Sequence, residues 1–161
     1  MAIEKIGFGG GCHWCTEAVF ATLKGVTKVD QGWISSEPPH DSLSEAVLVH
    51  FDPSIIDLEV LIEIHLLTHA STSNHSMRGK YRSAIYSFSS NDDQAKQSLE
   101  GFSQHFDSPI ITKVLPYSTF ESSPEQYQDY FQKNQGKPFC ETHITPKLQL
   151  LMQEFRAYVK A

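Results

Sequence analysis

The sequence predicts an α/β or α+β fold around a mixed sheet, in a single domain spanning 1–161. Three observations lead there. Apolar residues recur at helical spacing in some segments and alternate along others. The two kinds of segment interleave along the chain instead of separating into halves. No repeat, low-complexity tract or linker divides the 161 residues, a length that buries roughly two-thirds of the unfolded surface without staples.

A strand is expected over 3–9, closed by Gly9, Gly10 and Gly11, where glycine lets the backbone turn sharply. A helix over 12–24 follows, with Val19, Phe20 and Leu23 inward. Strands over 26–35 and 45–51 come next, the second an apolar run opened by Glu45. The helix over 55–69 holds the longest apolar stretch, interrupted by Glu59, Glu63 and His65. In a strand over 83–89, Ala84, Tyr86 and Phe88 alternate with Ser83, Ile85 and Ser87, which predicts two unlike faces. Ala95, Leu99, Phe102 and Phe106 share one face of a helix over 91–106, and a strand over 110–117 follows it. Ser123-Pro124-Glu125-Gln126 has the form of a capping box with proline at the first helical position, starting a helix over 124–133. Leu148, Leu151, Met152 and Phe155 define a last helix over 146–159.

A net charge of −6 argues against nucleic acid or an anionic membrane as main partner, the short basic stretch "MRGKYR" (77–82) aside. No secretory h-region or membrane-spanning run is found, and three cysteines are too few and too scattered for a disulfide framework. A reducing, cytoplasmic location is expected.

Function turns on "GGGCHWCTEAVF" (9–20). Glycines off a strand place Cys12 at a helix start, where unpaired N–H groups and the dipole favour a thiolate, and a thiolate is a nucleophile. Cys15, one turn on, is either its disulfide partner or core. A thioredoxin-like dithiol oxidoreductase would use this pair, although Pro109, Pro116 and Pro138 are poor candidates for the proline such a fold requires. Cys12, Cys15, Cys140 and His143 also make up a Cys₃His count for a zinc-stabilised module. Against that stands the placement of Cys15 inside an amphipathic helix. His65 and His69 lack a matching carboxylate, and no metal ligands are expected.

"GCHWCTEAVF" resembles the "GCFW-x-x-E-x-x-F" signature of the A-type peptide methionine sulfoxide reductases. The likeness continues through "SEAVLVHFDP" (44–53), "KYRSAIY" (80–86), "YQDYFQKN" (127–134) and "KPFC" (137–140), and covers nearly the whole chain. It implies a compact roll with a split β-α-β core, ferredoxin-like, and thiol-dependent reduction of the S epimer of methionine sulfoxide, free or in proteins. Cys12 matches the nucleophile. Glu45 matches the acid that meets the sulfoxide oxygen, work that suits a carboxyl shielded from water; without the resemblance it reads as an edge-strand glutamate facing solvent. Tyr81 matches a tyrosine whose hydroxyl points at the same oxygen, and Trp14 the wall of a pocket for the S-methyl group; without it they read as a half-buried tyrosine and a core tryptophan. Cys140 matches the recycling cysteine, with Cys15 as the alternative. The resemblance further implies no bound cofactor, thioredoxin or another dithiol as reductant, and a monomer.

Three positions depart from the family pattern. His13 replaces a phenylalanine of the methyl pocket, Trp33 replaces a tyrosine, and Ser76 falls near a missing aspartate in a shortened loop. These residues are expected to tune substrate binding.

Overall fold

The computed structural model describes residues 3–69, 81–134 and 136–160. Six strands form one mixed sheet: β1 (Glu4–Gly9), β2 (Val26–Ser35), β3 (Ser44–Phe51), β4 (Ala84–Ser87), β5 (Lys113–Pro116) and β6 (Thr119–Ser122), in the order β5-β4-β1-β3-β2-β6. β1 runs antiparallel to β3 and β4, and β3 antiparallel to β2. β1 and β2 are therefore parallel, with β3 between them, and are linked by α1 (His13–Ala21). β3, α2 (Leu58–Leu67) and β4 repeat the device around β1. These two interlocked split β-α-β units are the ferredoxin-like core. α3 (Asp92–Ser103) then carries the chain to β5, which pairs parallel to β4.

Connectivity forces the sheet to curl. β5 and β6 are its two edges, yet only Tyr117 and Ser118 join them. The edges of a flat six-stranded sheet stand about 24 Å apart, whereas the step from Pro116 to Thr119 reaches about 11 Å at most. The sheet rolls up to close the gap, and hydrogen bonds stitch the seam: Ser118 N–H donates to Ser35 O (3.0 Å) and the Ser36 hydroxyl to Pro116 O (2.6 Å). Ile34, Ala46, Ala84 and Tyr86 fill the concave face, with Leu115, Tyr117 and Phe120 packed on them. The fit there is tight enough to demand glycine at position 7, where a Cβ would lie 2.8 Å from Ile34 Cδ1.

The helices cover the other face. Ile6 and Phe8 of β1 and Val47, Val49 and Phe51 of β3 bury themselves against Phe20, Leu61, Ile62, Ile64 and Leu151. Phe8 stacks on Phe20 with centroids 4.6 Å apart. Each such side chain stabilises the fold by about 1.5–3 kcal/mol when fully buried. β1 and β3 thus lie at the centre of the molecule, and the loops at their ends inherit a rigid base. Among the described residues no helix is long and apolar enough to cross a membrane.

Several expected elements are revised. The strand over 110–117 shortens to β5, and β6 was not anticipated; its one large apolar residue, Phe120, is too little for alternation to register. The helix over 124–133 breaks into a 3-10 turn at Glu125–Tyr127, a left-handed Asp129 (φ 56°) and the short α4 (Tyr130–Lys133). Its capping box does not form. Ser123 N–H is still bonded to Gln31 O in β2 (2.9 Å), so the chain at this point belongs to the sheet. The last helix starts early, as a π-helical turn at Cys140–Ile144 running into α5 (Thr145–Glu154), and ends before a 3-10 turn at Arg156–Tyr158. β4 has no exposed face, because Ile85 packs into the core beneath the helices while Ala84 and Tyr86 pack into the cluster on the concave side, and all four of its residues are buried.

Candidate active site

The chain leaves β1 through Gly10, whose φ of +147° suits glycine and whose Cβ, if present, would lie 2.4 Å from the His69 ring. Cys12 then takes the N-cap of α1, and its carbonyl accepts the N–H groups of Cys15 (3.1 Å) and Thr16 (3.2 Å). Its thiol is pulled down to about 4, chiefly because the Cys15 thiol donates to it; the His13 side chain and the N–H groups of Trp14 and Cys15 add to this against the cost of burial. The same bond and burial push the Cys15 thiol up, so Cys15 stays protonated as the donor. Lys147 of α5 donates its ammonium to Thr68 O. Burial lowers its pKa, and the nearby thiolate of the Cys12–Cys15 pair partly restores it. One thiolate supported by one thiol is the ordinary working state.

This arrangement predicts a pH profile. In the wild type, Cys12 alkylation by iodoacetamide rises with a midpoint near pH 4, where Cys15 and Cys140 remain thiols. In Cys15→Ala the strongest support is gone and the midpoint moves above roughly pH 6.

Glu45 is the second residue of β3, opposite Trp33 of β2 in register, and is 6% exposed. Its Oε1 accepts the His13 N–H at 3.3 Å and lies 3.5 Å from His13 Nδ1. The His13 ring stands edge-on to Trp33 with centroids 5.2 Å apart. Cys12 Sγ, a His13 ring nitrogen and a Glu45 oxygen all fall within 4.8 Å of one another. Trp14 faces the C-terminal part of the chain, stacked on Tyr130 (4.0 Å between centroids) with Phe139 edge-on at 5.5 Å. Tyr81 is half-buried just before β4. Next to it, Arg82 clamps the segment to the Glu45 strand: its N–H donates to Ser44 Oγ (2.7 Å) and its guanidinium to the carbonyls of Ile34, His40 and Ser42. Ser76 lies outside the described residues.

Cys140 is fully buried in the π-helical turn, clustered with Cys15, Ala18 and Ile144, and Cys12 packs against the same cluster. Burial pushes its thiol up. His143 is exposed and leans on Phe139 (4.8 Å), so among the described residues the Cys₃His set anticipated as an alternative is not assembled.

The structure adds five supporting residues to those singled out from the sequence. Glu17, 4% exposed, accepts Gln31 Nε2 (2.9 Å), Asp129 N–H (2.7 Å) and Tyr130 N–H (3.1 Å), which fixes α4 onto Trp14. Burial raises its carboxyl pKa, and these donors oppose the rise. Its signal was available, since it is the glutamate of the "GCHWCTE" motif. Buried His65 bonds to Gly9 O through Nε2 (2.8 Å), and His69 reaches Ser83 Oγ (2.8 Å), bracing the glycine loop from below. Arg82 lies within the matched "KYRSAIY" stretch, whereas Lys147 carried no signal, because the group it meets is a backbone carbonyl far away in sequence.

A family model described as peptide methionine sulfoxide reductase matches residues 4–158. The chain is 34% identical over 171 residues to the peptide methionine sulfoxide reductase MsrA of Deinococcus radiodurans, covering 96% of this chain and 83% of that protein. Its fold is similar to that of Mxr1 from Saccharomyces cerevisiae in reduced form, with TM-score 0.76, 22% identity and coverage of 88% and 91%. A crystal structure of Mxr1 in complex with Trx2 aligns with TM-score 0.63, 19% identity and coverage of 77% and 83%.

Proposed function

The chain belongs to the peptide methionine sulfoxide reductase family, and we propose that it acts through the Cys12 thiolate at the start of α1. The enzyme is an oxidoreductase that reduces methionine sulfoxide at the expense of thiols. The observation that carries the residue assignment is the Cys12 thiol, held at about 4 by Cys15, with the Glu45 carboxyl within 4.8 Å.

Cys12 attacks the sulfoxide sulfur while Glu45 delivers a proton to the departing oxygen, and Tyr81 hydrogen-bonds that oxygen. The S–O bond breaks. The oxygen, released as water from the Cys12–methionine sulfonium adduct, then attacks Cys12 Sγ and breaks the new S–S bond, so methionine leaves with its sulfur reduced by two electrons and Cys12 is oxidised by two to a sulfenic acid. Trp14, with His13 and Trp33 beside it, walls the side that receives the S-methyl group, and Ser76 contributes to substrate binding. Cys140 then attacks Cys12, forming a disulfide and releasing water. Cys140 is favoured over Cys15 because two thiols one helical turn apart must unwind that turn to bond, whereas Cys140 already packs on the same cluster. The disulfide is reduced by thioredoxin, the kind of protein seen with the yeast relative, and no bound cofactor takes part. The enzyme works as a cytoplasmic monomer in one domain, 1–161.

The test is a stereospecific assay with thioredoxin or dithiothreitol and separate epimers of a blocked methionine sulfoxide. Methionine is expected from the S epimer alone; product from neither, in folded protein with free thiols, overturns the reading. Cys140→Ser is expected to release about one methionine per enzyme in the absence of reductant, as the wild type does. Its steady-state rate with thioredoxin falls at least about 100-fold, and rapid-quench counting of methionine separates the two phases.

A further inference from the structure

Three donor atoms of different chemistry converge where β1 hands over to α1. Cys12 Sγ, a His13 ring nitrogen and a Glu45 oxygen lie within 4.8 Å of one another, and no second trio of Cys, His, Asp or Glu does so among the described residues. A tetrahedral zinc ion holds sulfur, nitrogen and oxygen donors roughly 3.3–3.8 Å apart, a spacing the His13–Glu45 pair already meets at 3.5 Å, so side-chain rotations of about 1 Å at the widest gap complete the geometry. His13 supplies a second, independent pointer. It is 6% exposed, yet its Nδ1 makes no hydrogen bond among the described residues, although Glu45 Oε1 lies only 3.5 Å away. A buried polar nitrogen without a partner is costly to keep, and a metal ion is one way to satisfy it. The family signature places phenylalanine here, so this nitrogen is a feature of the present chain.

We propose that Cys12, His13 and Glu45 form a site for a borderline-soft divalent cation of the zinc type, and that its occupation arrests the enzyme. A sulfur, nitrogen and oxygen set selects against magnesium and calcium, which take oxygen ligands. The site is built in advance: two ligands are neighbours at one helix start and the third sits on the strand paired with β1. Cys12 is only partly buried, which leaves an entry side and a fourth position for water. The arrest rests on the proposed roles of these residues, since the cation would engage both the Cys12 electron pair and the Glu45 carboxylate. Binding does not rest on them. Oxidation of Cys12 removes a ligand, so the cation competes with substrate for the reduced enzyme alone.

The experiment titrates the reduced, metal-free full chain with Zn²⁺ alone by calorimetry, and with Co²⁺ by absorption. One equivalent is expected, with a thiolate-to-cobalt charge-transfer band that Cys12→Ser abolishes. His13→Phe should weaken Zn²⁺ binding about 100-fold while Cys140→Ser stays within about threefold of wild type. Wild-type affinity in His13→Phe, an equal loss in Cys140→Ser, or no stoichiometric binding overturns the site. Rates measured with and without Zn²⁺, each variant against its own metal-free rate, test the arrest. Stoichiometric binding that leaves turnover untouched overturns the arrest and the roles assigned to Cys12 and Glu45, while the metal site stands.

Discussion

Cys12→Ser abolishes turnover of methionine sulfoxide, with kcat/KM falling on the order of 10⁴-fold or more. The hydroxyl has nearly the size of the thiol, so the N-cap geometry and the N–H groups of Cys15 and Thr16, which bond the Cys12 carbonyl, are left in place. What disappears is ionisation. The environment that holds the thiol at about 4 cannot bring a serine hydroxyl into the range where it is an anion, and oxygen cannot take up the sulfoxide's oxygen to give a stable sulfenic acid. Methionine release and the low-pH alkylation by iodoacetamide should vanish together, with the thermal midpoint little changed. Retained activity would transfer the nucleophile to Cys15, which the structure places as a donor.

Glu45→Gln lowers kcat by about 10²–10³-fold, with a smaller change in KM. The amide oxygen can still accept the His13 N–H that Glu45 Oε1 accepts, so position and burial are kept while the transferable proton is lost. The two variants differ in a useful way. Glu45→Gln should leave the alkylation profile of Cys12 close to wild type, because no contact with Glu45 is among the causes of that thiolate. A carboxyl that acted only as packing would give the reverse pattern, a lower thermal midpoint with kcat retained. Steady-state kinetics beside the alkylation profile separates the two.

The fold core was readable because its strands are long or flanked by glycine and its helices bury wide apolar faces. β3, with seven of its eight residues buried, reads as an apolar run, and α1 follows directly on the glycines that end β1. The edges were not readable. β6 is four residues long, and the segment after it is held by Glu17 from the opposite end of the chain, so propensity suggested a helix where a tertiary carboxylate dictates a kink. The site divides in the same way. Cys12 and its helix start were legible from local sequence, whereas the nearness of Glu45 depends on a β1–β3 pairing that joins residues roughly forty positions apart. His13 was noted as a substituted pocket wall, and only three-dimensional placement reveals that its ring nitrogen meets Glu45. The role of Cys15 as a hydrogen-bond donor had no sequence signal, since a cysteine one turn along a helix reads equally well as core or as disulfide partner.

The two-residue bridge between β5 and β6 bears on how the molecule comes apart. In an open sheet each outer strand can peel away alone, and local opening is cheap at the rims. Here the first and last strands of the order are one short stretch of chain, so neither can detach without pulling on the other. Both rims therefore belong to a single cooperative unit. The amides of β5 and β6 that are bonded in the sheet should exchange with solvent at similar rates, while the short α4 beside the catalytic helix retains an opening motion of its own.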